Sequence, residues 1–278
     1  MTSFGPMKII QVTDTHMVPP GTELLGLRPR ERLEACFADI NAHHRDAACC
    51  ILTGDLADRG EPAAYGELRA ALETLRVPWH LMIGNHDDRE AFKAAFPEVP
   101  ADPGGFVQQA RATEAGRLLL LDTQEAGTHG GVYCRTRAAW LEAELEAAGD
   151  SPVYLFLHHP PFEIRIPSLD RIRLTEPETL AGVLDGRENI RHLFFGHVHR
   201  PLSGTWRGIP FSALPSTVHQ VPLDFETLEP VPYSLDPPAY GVVFLEPEQT
   251  LVHLHHYLGG GALPRQTPRY AKGASVQG

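Results

Sequence analysis

The chain has 278 residues, 42% of them hydrophobic and 21% charged, enough for one large domain with a sizeable core. A formal net charge of -11 excludes the basic face that a nucleic-acid polymer requires, but a local metal charge could still draw in a small anionic substrate. The four cysteines, Cys36, Cys49, Cys50 and Cys134, form no C-x-x-C pair, so no disulfide framework is expected and a reducing cytoplasm is the default compartment. No apolar run approaches the roughly 20 residues of a membrane span, and "MTSFGPMKIIQVTDTH" lacks the apolar stretch of a signal peptide.

Short runs that are apolar nearly throughout predict strands covered on both faces: "KIIQVT" (8–13), "CCILTG" (49–54), "WHLMIG" (79–84), "RLLLLDT" (117–123), "VYLFLHH" (153–159) and "HLFFG" (192–196). Helical patterns fall between them. Leu33, Phe37 and Ile40 recur at helical spacing over 30–45. Pro62 opens a helix over 62–76 with a stripe of Leu68, Leu72 and Leu75. Over 136–148, Thr136 is the expected N-cap and Gly149 the stop. Thr175 and Pro177 open a further helix that ends before Gly186. Alternation of this kind predicts a layered α/β domain.

From about residue 208 the texture turns proline-rich, which predicts a strand followed by a long ordered excursion. "GVVFLEPEQTLVHLHHYL" then reads as a hairpin turning at "EPEQ", with its last strand a half-solvated edge. The expected boundaries are a main domain over 7–222, an excursion and hairpin over 223–258 that complete the domain or cap it, and a flexible tail over 259–278.

Five of the predicted strands end on metal-type ligands. Asp14 and His16 follow the first, Asp55 and Asp58 the second, and Asn85, His86 and Asp87 the third; His158 and His159 end the fifth, and His197 and His199 follow the sixth. Ligands bind at the carboxyl ends of strands in open α/β sheets. Carboxylate, amide oxygen and imidazole together suit Mn, Fe, Zn or Co, and the donors are too many for one four-coordinate ion. Two divalent metal ions are therefore expected, with Asp55 as the bridging carboxylate. Such a pair clamps phosphate oxygens for in-line attack by a metal-bridging hydroxide. Gly196 is expected to let the backbone bend so that both His197 and His199 enter the pocket. Strand alternation points His159 away from His158, which keeps it out of the ligand set.

These motifs, "DTH" (14–16), "GDLADRG" (54–60), "GNHD" (84–87), "HH" (158–159) and "GHVH" (196–199), resemble those of the calcineurin-like metallophosphoesterases. The resemblance implies a four-layer sandwich, two mixed β-sheets flanked by helices, here with a small C-terminal cap or oligomerisation excursion. It implies that Asp14, His16, Asp55 and His199 hold one metal and that Asp55, Asn85, His158 and His197 hold the other. His86 would assist the leaving group, a role that general-acid chemistry supports on its own. Asp55 and His86 are thus the catalytic candidates.

"GNHDD", "HHPPF" and "LPSTVHQVP" (214–222) are most similar to bacterial class III cyclic-nucleotide phosphodiesterases and glycerophosphodiesterases. Protein phosphatases of the superfamily carry Arg and Glu at the places of Ile83 and Asp87. The "HQV" match makes His219 a substrate contact, and the "AGTHGG" loop (126–131) adds His129 as a weaker one. Leu24, Leu25 and Leu27 are expected to wall the leaving group or to form an oligomer contact. The resemblance implies a dinuclear phosphodiesterase for small diesters, working as a homodimer or larger homo-oligomer. A phospholipid headgroup hydrolase or a phosphomonoesterase with the same dimetal site is the alternative; an inactive scaffold would have lost ligands.

Overall fold

The computed structural model describes residues 6–259; the tail expected beyond them lies outside the described residues. In chain order the first half runs β1 (Met7–Val12), α1 (Pro29–His43), β2 (Cys49–Thr53), α2 (Pro62–Leu72), β3 (Trp79–Met82), α3 (Arg89–Ala95), β4 (Gln109–Thr113) and β5 (Gly116–Leu121). Next come β6 (Gly131–Val132), α4 (Arg135–Ala148), β7 (Val153–Leu157), α5 (Pro167–Asp170), β8 (Leu174–Thr175), α6 (Glu178–Leu184) and β9 (Ile190–Phe195). Two hairpins finish it: β10 (Leu202–Trp206) with β11 (Ile209–Ala213), and β12 (Ala239–Leu245) with β13 (Thr250–His256).

Two mixed sheets result. The first has the order β13-β12-β1-β2-β3, with β1, β2 and β3 parallel and β12 and β13 antiparallel at one side. The second has the order β10-β11-β9-β7-β5-β4, parallel from β11 to β5 and antiparallel at both edges. Strand alternation divides the apolar residues between layers. Ile9, Ile51 and Met82 of the first sheet meet Leu118, Leu120, Phe156 and Phe194 of the second, with the Phe156 and Phe194 rings stacked at 4.5 Å. The next residues along, Ile10, Val12, Leu52 and Leu81, face out against Leu33, Phe37 and Ile40 of α1 and Tyr65 and Leu68 of α2. Leu119, Leu155 and Phe195 face out on the other side, against Leu141 and Leu145 of α4 and Leu180 and Leu184 of α6. The fold is the expected four-layer sandwich.

Several boundaries differ from the sequence expectation. Pro29 starts α1, and α2 stops at Leu72, so Leu75 packs from the following turn. The N-cap of α4 is Cys134 and lacks a side-chain bond, while Gly149 ends the helix as expected, at φ 55°. The edge strands β4 and β10 and the short helices α3 and α5 carried no apolar run or long period to announce them. No helix among the described residues is long and apolar enough to cross a membrane.

His192 lies on β9 and is 6% exposed, with Nε2 2.9 Å from Ser212 Oγ. Burial pushes its pKa down to about 4. Between that value and the ordinary 6.5, the unfolded chain binds a proton that the folded chain refuses, so stability rises with pH across this window and is lost on acidification, by about 1.4 kcal/mol per pH unit per proton. His192→Gln should flatten the fall in melting temperature between pH 6.5 and 4; an unchanged slope would show that other groups carry it.

Candidate dimetal centre

The carboxyl ends of β1, β2, β3, β7 and β9 converge where the two sheets abut. Their joint is stitched by Gln11, whose Nε2 donates to Thr53 Oγ1 (3.3 Å) and to the Phe195 carbonyl of the other sheet (3.1 Å). The loops beyond these ends run against one another. The Asp14 N–H donates to the Gly54 carbonyl (3.1 Å) and the His16 N–H to the Asp55 carbonyl (2.9 Å).

Asp14, His16, Asp55, His197 and His199 all sit at positive φ, between 39° and 65°. Asp and His enter this region more readily than most residues, yet each such backbone is strained, and strain of this kind gathers at functional sites. Gly196 itself does not take up the left-handed conformation; His197 does. The glycine is needed for room, because a Cβ there would stand 2.6 Å from Thr13 Oγ1 and 2.6 Å from the Thr53 carbonyl.

The side chains gather around Asp55. Ligand atoms of Asp14, His16, Asp55 and His199, all buried, lie within 4.8 Å of one another. His16 Nε2 and His199 Nε2 are 3.1 Å apart, and His199 Nε2 is 3.4 Å from Asp14 Oδ1. On the other side of Asp55, His158 Nε2 lies 3.2 Å from Asp55 Oδ2 and 3.2 Å from Asn85 Oδ1, which is 2.9 Å from His197 Nδ1. All seven expected metal-ligand residues are therefore brought together, in two sets that meet at Asp55.

The outer nitrogens of three rings are committed. His158 Nδ1 pairs with the Thr53 carbonyl (2.8 Å), His199 Nδ1 with the His219 carbonyl (2.9 Å), and His16 Nδ1 with Asp58 Oδ1 (3.3 Å). Each acceptor requires a donating N–H, which turns the Nε2 lone pair of a neutral ring inward, as a metal ligand needs. The interior is then a set of acceptors, imidazole lone pairs and carboxylate oxygens, that only a cation can neutralise. His197 Nε2 is buried with no hydrogen-bond partner. The residues fit divalent ions on both counts.

The electrostatics of the cage point the same way. Burial opposes the Asp55 charge, but His158, His86 and His16 hold its carboxyl well below the usual range. Burial likewise opposes a charge on His158, and Asp55 and Asp14 outweigh it to raise the imidazole to about 9. That proton occupies the lone pair a metal would use. His86 is also raised: burial works against its charge, and Asp55 with the Asp58 carbonyl wins.

The remaining sequence candidates surround this cage. His86 Nδ1 is 2.7 Å from the Asp58 carbonyl, which leaves its other nitrogen free. The His219 ring stands 4.6 Å from that of His199, and its buried Nδ1 has no partner. His129 is exposed on its loop, yet its Nδ1 accepts from Asn85 Nδ2 at 3.2 Å. His159 is buried behind His158 with both nitrogens in use, Nδ1 toward Thr123 Oγ1 (2.7 Å) and Nε2 toward the His129 carbonyl (3.1 Å). Burial first, then His158, pushes its pKa down to about 3, so it stays neutral.

Leu24, Leu25 and Leu27 do not wall the cleft. Leu24 and Leu27 bond to each other in a tight turn, and the cleft, about 330 Å³, is walled by Leu169, Ile172, Val221, Val231 and Tyr233.

Sequence reasoning gave no role to Asp87, which follows the expected ligands. It is 4% exposed, and its carboxylate accepts from the N–H groups of Leu56, Ala57 and Gly84 and from Tyr65 Oη, at 2.8–3.0 Å. One side chain thus clamps the loop after β2 to the loop after β3. The "GNHD" spacing was the available signal.

A four-layer α/β sandwich with a largely buried cage of His, Asp and Asn at its strand ends defines a metallohydrolase scaffold. The chain belongs to the calcineurin-like phosphoesterase family, whose model matches residues 7–201. It is 44% identical to a "Probable cyclic nucleotide phosphodiesterase" of Rhodopseudomonas palustris over 92% of this chain and 95% of that one. It is 30% identical to the glycerophosphodiester phosphodiesterase GpdQ of Enterobacter lignolyticus over 91% and 93%. Identity to the 3',5'-cyclic adenosine monophosphate phosphodiesterase CpdA of Escherichia coli K12 is 31%, over 77% of each chain. Among solved structures, a dimetal phosphatase of Danio rerio shares the fold at a TM-score of 0.67 and 16% identity, over 91% of this chain and 98% of the other.

Asp87→Ala would leave three buried N–H groups without their acceptor. It should cost about 3 kcal/mol or more in urea denaturation and lower the metal content of the folded protein. Asp87→Asn, which keeps the shape but loses one acceptor oxygen, should recover only part of the loss. A loss below about 1 kcal/mol for Asp87→Ala would remove the clamp.

Proposed function

We propose that this chain is a dinuclear metal-dependent phosphodiesterase acting on small phosphodiesters of the cyclic-nucleotide or glycerophosphodiester type. The carrying observation is the pair of donor sets sharing Asp55. In this reading Asp14, His16, Asp55 and His199 hold one ion, and Asp55, Asn85, His158 and His197 the other. Two divalent cations bound there, drawn from Mn, Fe, Zn and Co, would acidify a water and neutralise the charge on the phosphate oxygens. The names of the relatives favour diesters over the monoester and phospholipid alternatives.

The chain's own residues supply the rest. The pairing of His86 Nδ1 with the Asp58 carbonyl leaves Nε2 for the substrate, where an imidazolium would protonate the leaving alkoxide. Asn85 is steadied from the far side by His129. His219 lies on the wall near the metals and reaches the phosphodiester or its ester group.

The domain reading follows: 7–222 carries the chemistry, and of 223–258 the irregular excursion caps the cleft and joins subunits into a homodimer or larger assembly, while the hairpin of β12 and β13 completes the first sheet. Leu223, Phe225, Leu228 and Leu235 of that excursion are each 56–61% exposed, which a contact between copies would cover. Sedimentation equilibrium should return a mass of two or more chains. Four unpaired cysteines support a cytoplasmic setting.

The test pairs metal analysis with two substrates. Manganese-loaded protein should hold about two ions per chain and prefer bis(p-nitrophenyl) phosphate to p-nitrophenyl phosphate. Asn85→Ala and His158→Ala should each lower turnover by about 10³-fold or more, as expected for loss of a stabilised transition-state charge. His86→Gln should cost about 10²-fold, and more for an alkyl leaving group than for p-nitrophenolate, which leaves without a proton. Full activity in both Asn85→Ala and His158→Ala would sink the assignment.

A further inference from the structure

The outer edge of the first sheet carries a second group of metal-type donors, apart from the cage at the strand ends. β13 is the edge strand, and β12 separates it from β1. His253 and His255 lie opposite Val242 and Tyr240 of β12, so the four share one face of the sheet. Val242 and Tyr240 pack in the layer of α1, which sets His253 and His255 on the α1 side. On α1 itself, Asp39 and His43 are four residues apart and therefore neighbours on one helix face.

Asp39 joins the helix to the strand. His255 Nε2 lies 3.2 Å from Asp39 Oδ2, and His43 Nε2 lies 3.8 Å from Asp39 Oδ1. Tyr240, buried in the core, donates to Asp39 Oδ2 at 2.6 Å. The carboxylate is thus fixed from behind by a core residue, as the ligands of metal sites are fixed by the groups that surround them. His44 follows at the end of α1. Its ring and that of His255 both pack on Tyr240, at 5.8 and 5.1 Å, and its buried Nδ1 has no partner among the described residues. The Lys8 ammonium close to His44 is matched by Asp46, at 2.5 Å.

The separations suit one ion. Zinc holds imidazole nitrogen and carboxylate oxygen at about 2.0–2.2 Å, so two donors of one tetrahedral ion stand about 3.4 Å apart. The two observed carboxylate-to-imidazole separations lie on either side of that value. The His43 and His255 side chains are 63% and 46% exposed, which leaves an entry path and room for water to complete the shell. His43 needs only a change of side-chain torsion to close the set. A divalent ion would take both imidazole lone pairs and the carboxylate charge at once. Such a nitrogen-rich set suits zinc, nickel or copper; magnesium and calcium take oxygen.

We infer that Asp39, His43 and His255 form a further cation site, of the zinc type, which clips the edge strand β13 to the C-terminal end of α1. The clip takes no part in the proposed chemistry and does not depend on it. Its reach extends past the edge: Tyr257, the residue after β13, donates to the Thr217 carbonyl at 3.4 Å, two residues before His219.

The experiment dialyses the full chain to equilibrium against micromolar free zinc and counts the metal. The wild type should hold about three ions per chain, and His43→Ala and His255→Ala about two. Hydrolysis of bis(p-nitrophenyl) phosphate by the manganese-loaded variants should match the wild type within about twofold. Zinc should raise the melting temperature of the wild type by about 3 °C more than that of His255→Ala, and magnesium should raise the two alike. Equal zinc content in the wild type and both variants, whether two ions or three, would overturn the clip. A wild type that holds one ion more than the variants yet hydrolyses no diester would keep the clip and overturn the phosphodiesterase reading.

Discussion

The hydrogen bond between His158 Nδ1 and the Thr53 carbonyl, 2.8 Å long, joins the two sheets at the point where everything else converges. Packed sheets ordinarily stand about 10 Å apart, too far for ligands from both to share an ion. Here the imidazole is the spacer, and the backbone is stripped down around it. A Cβ at Gly54 would lie 2.5 Å from His158 Nδ1, one at Gly84 would lie 2.6 Å from its Nε2, and one at Gly196 would lie 2.8 Å from its Nδ1. Three loops from three strands therefore close on one ring, and each brings its ligand residues within reach of the others. The same compression forces Asp14, His16, Asp55, His197 and His199 into positive φ. Asp and His are suitable metal donors and are also among the residues that tolerate that backbone best.

Compression has an electrostatic consequence. Two carboxylates and several imidazole lone pairs share a space from which water is excluded, and the hydrogen bonds on the outer nitrogens keep those lone pairs turned inward. A site of this kind resists remaining empty. Its own proton on His158 is a partial answer, since it serves only one side of Asp55. Divalent charge on both sides is the complete one. Asp87 shows how the fold withstands the strain: a third buried carboxylate that faces backbone N–H groups instead of the cage. Burial and the Asp55 charge raise its pKa to about 6, against the pull of those N–H groups.

How much of this was legible in the sequence varies with the range of the forces involved. The residues of the cage were legible, because a buried parallel strand is a continuous apolar run and a polar ending stands out against it; "HLFFGHVH" is such a case. The same runs, alternating with helical patterns, predicted a layered α/β domain, whereas the four-layer order came from the family resemblance. The edge strands β4 and β10 were not legible: Ala110, Arg111 and Ala112, or Ser203, Gly204 and Thr205, are partly or largely exposed and show no run to find. Gly196 was legible as a necessary glycine, but for the wrong reason. Its need is set by Thr13 and Thr53, far away in the chain, and no local pattern encodes a steric limit imposed from another sheet. The leaving-group wall was misplaced at Leu24, Leu25 and Leu27 for a related reason. Nearness in sequence to Asp14 and His16 carried the argument there, whereas the wall is built by Leu169 and by Tyr233, more than 150 residues from those ligands.

That displacement separates two kinds of information in the chain. The reaction is set at the ends of strands held by three apolar layers, where a shift of one residue would turn every apolar side chain to the wrong face. The walls belong to elements under weaker constraint: the four-residue α5 and an irregular excursion held by Arg171 at one end and Gln220 at the other. Substitutions at Leu169, Val231 or Tyr233 would change the shape of the cleft without removing a residue of the cage; the excursion is tied back to the loop of Asp14 through Gln220, Ser216 and the Asp14 carbonyl. Such a division lets one metal centre serve diesters with very different ester groups, and it explains why the strand-end motifs define the chemistry of this chain so much more sharply than its substrate.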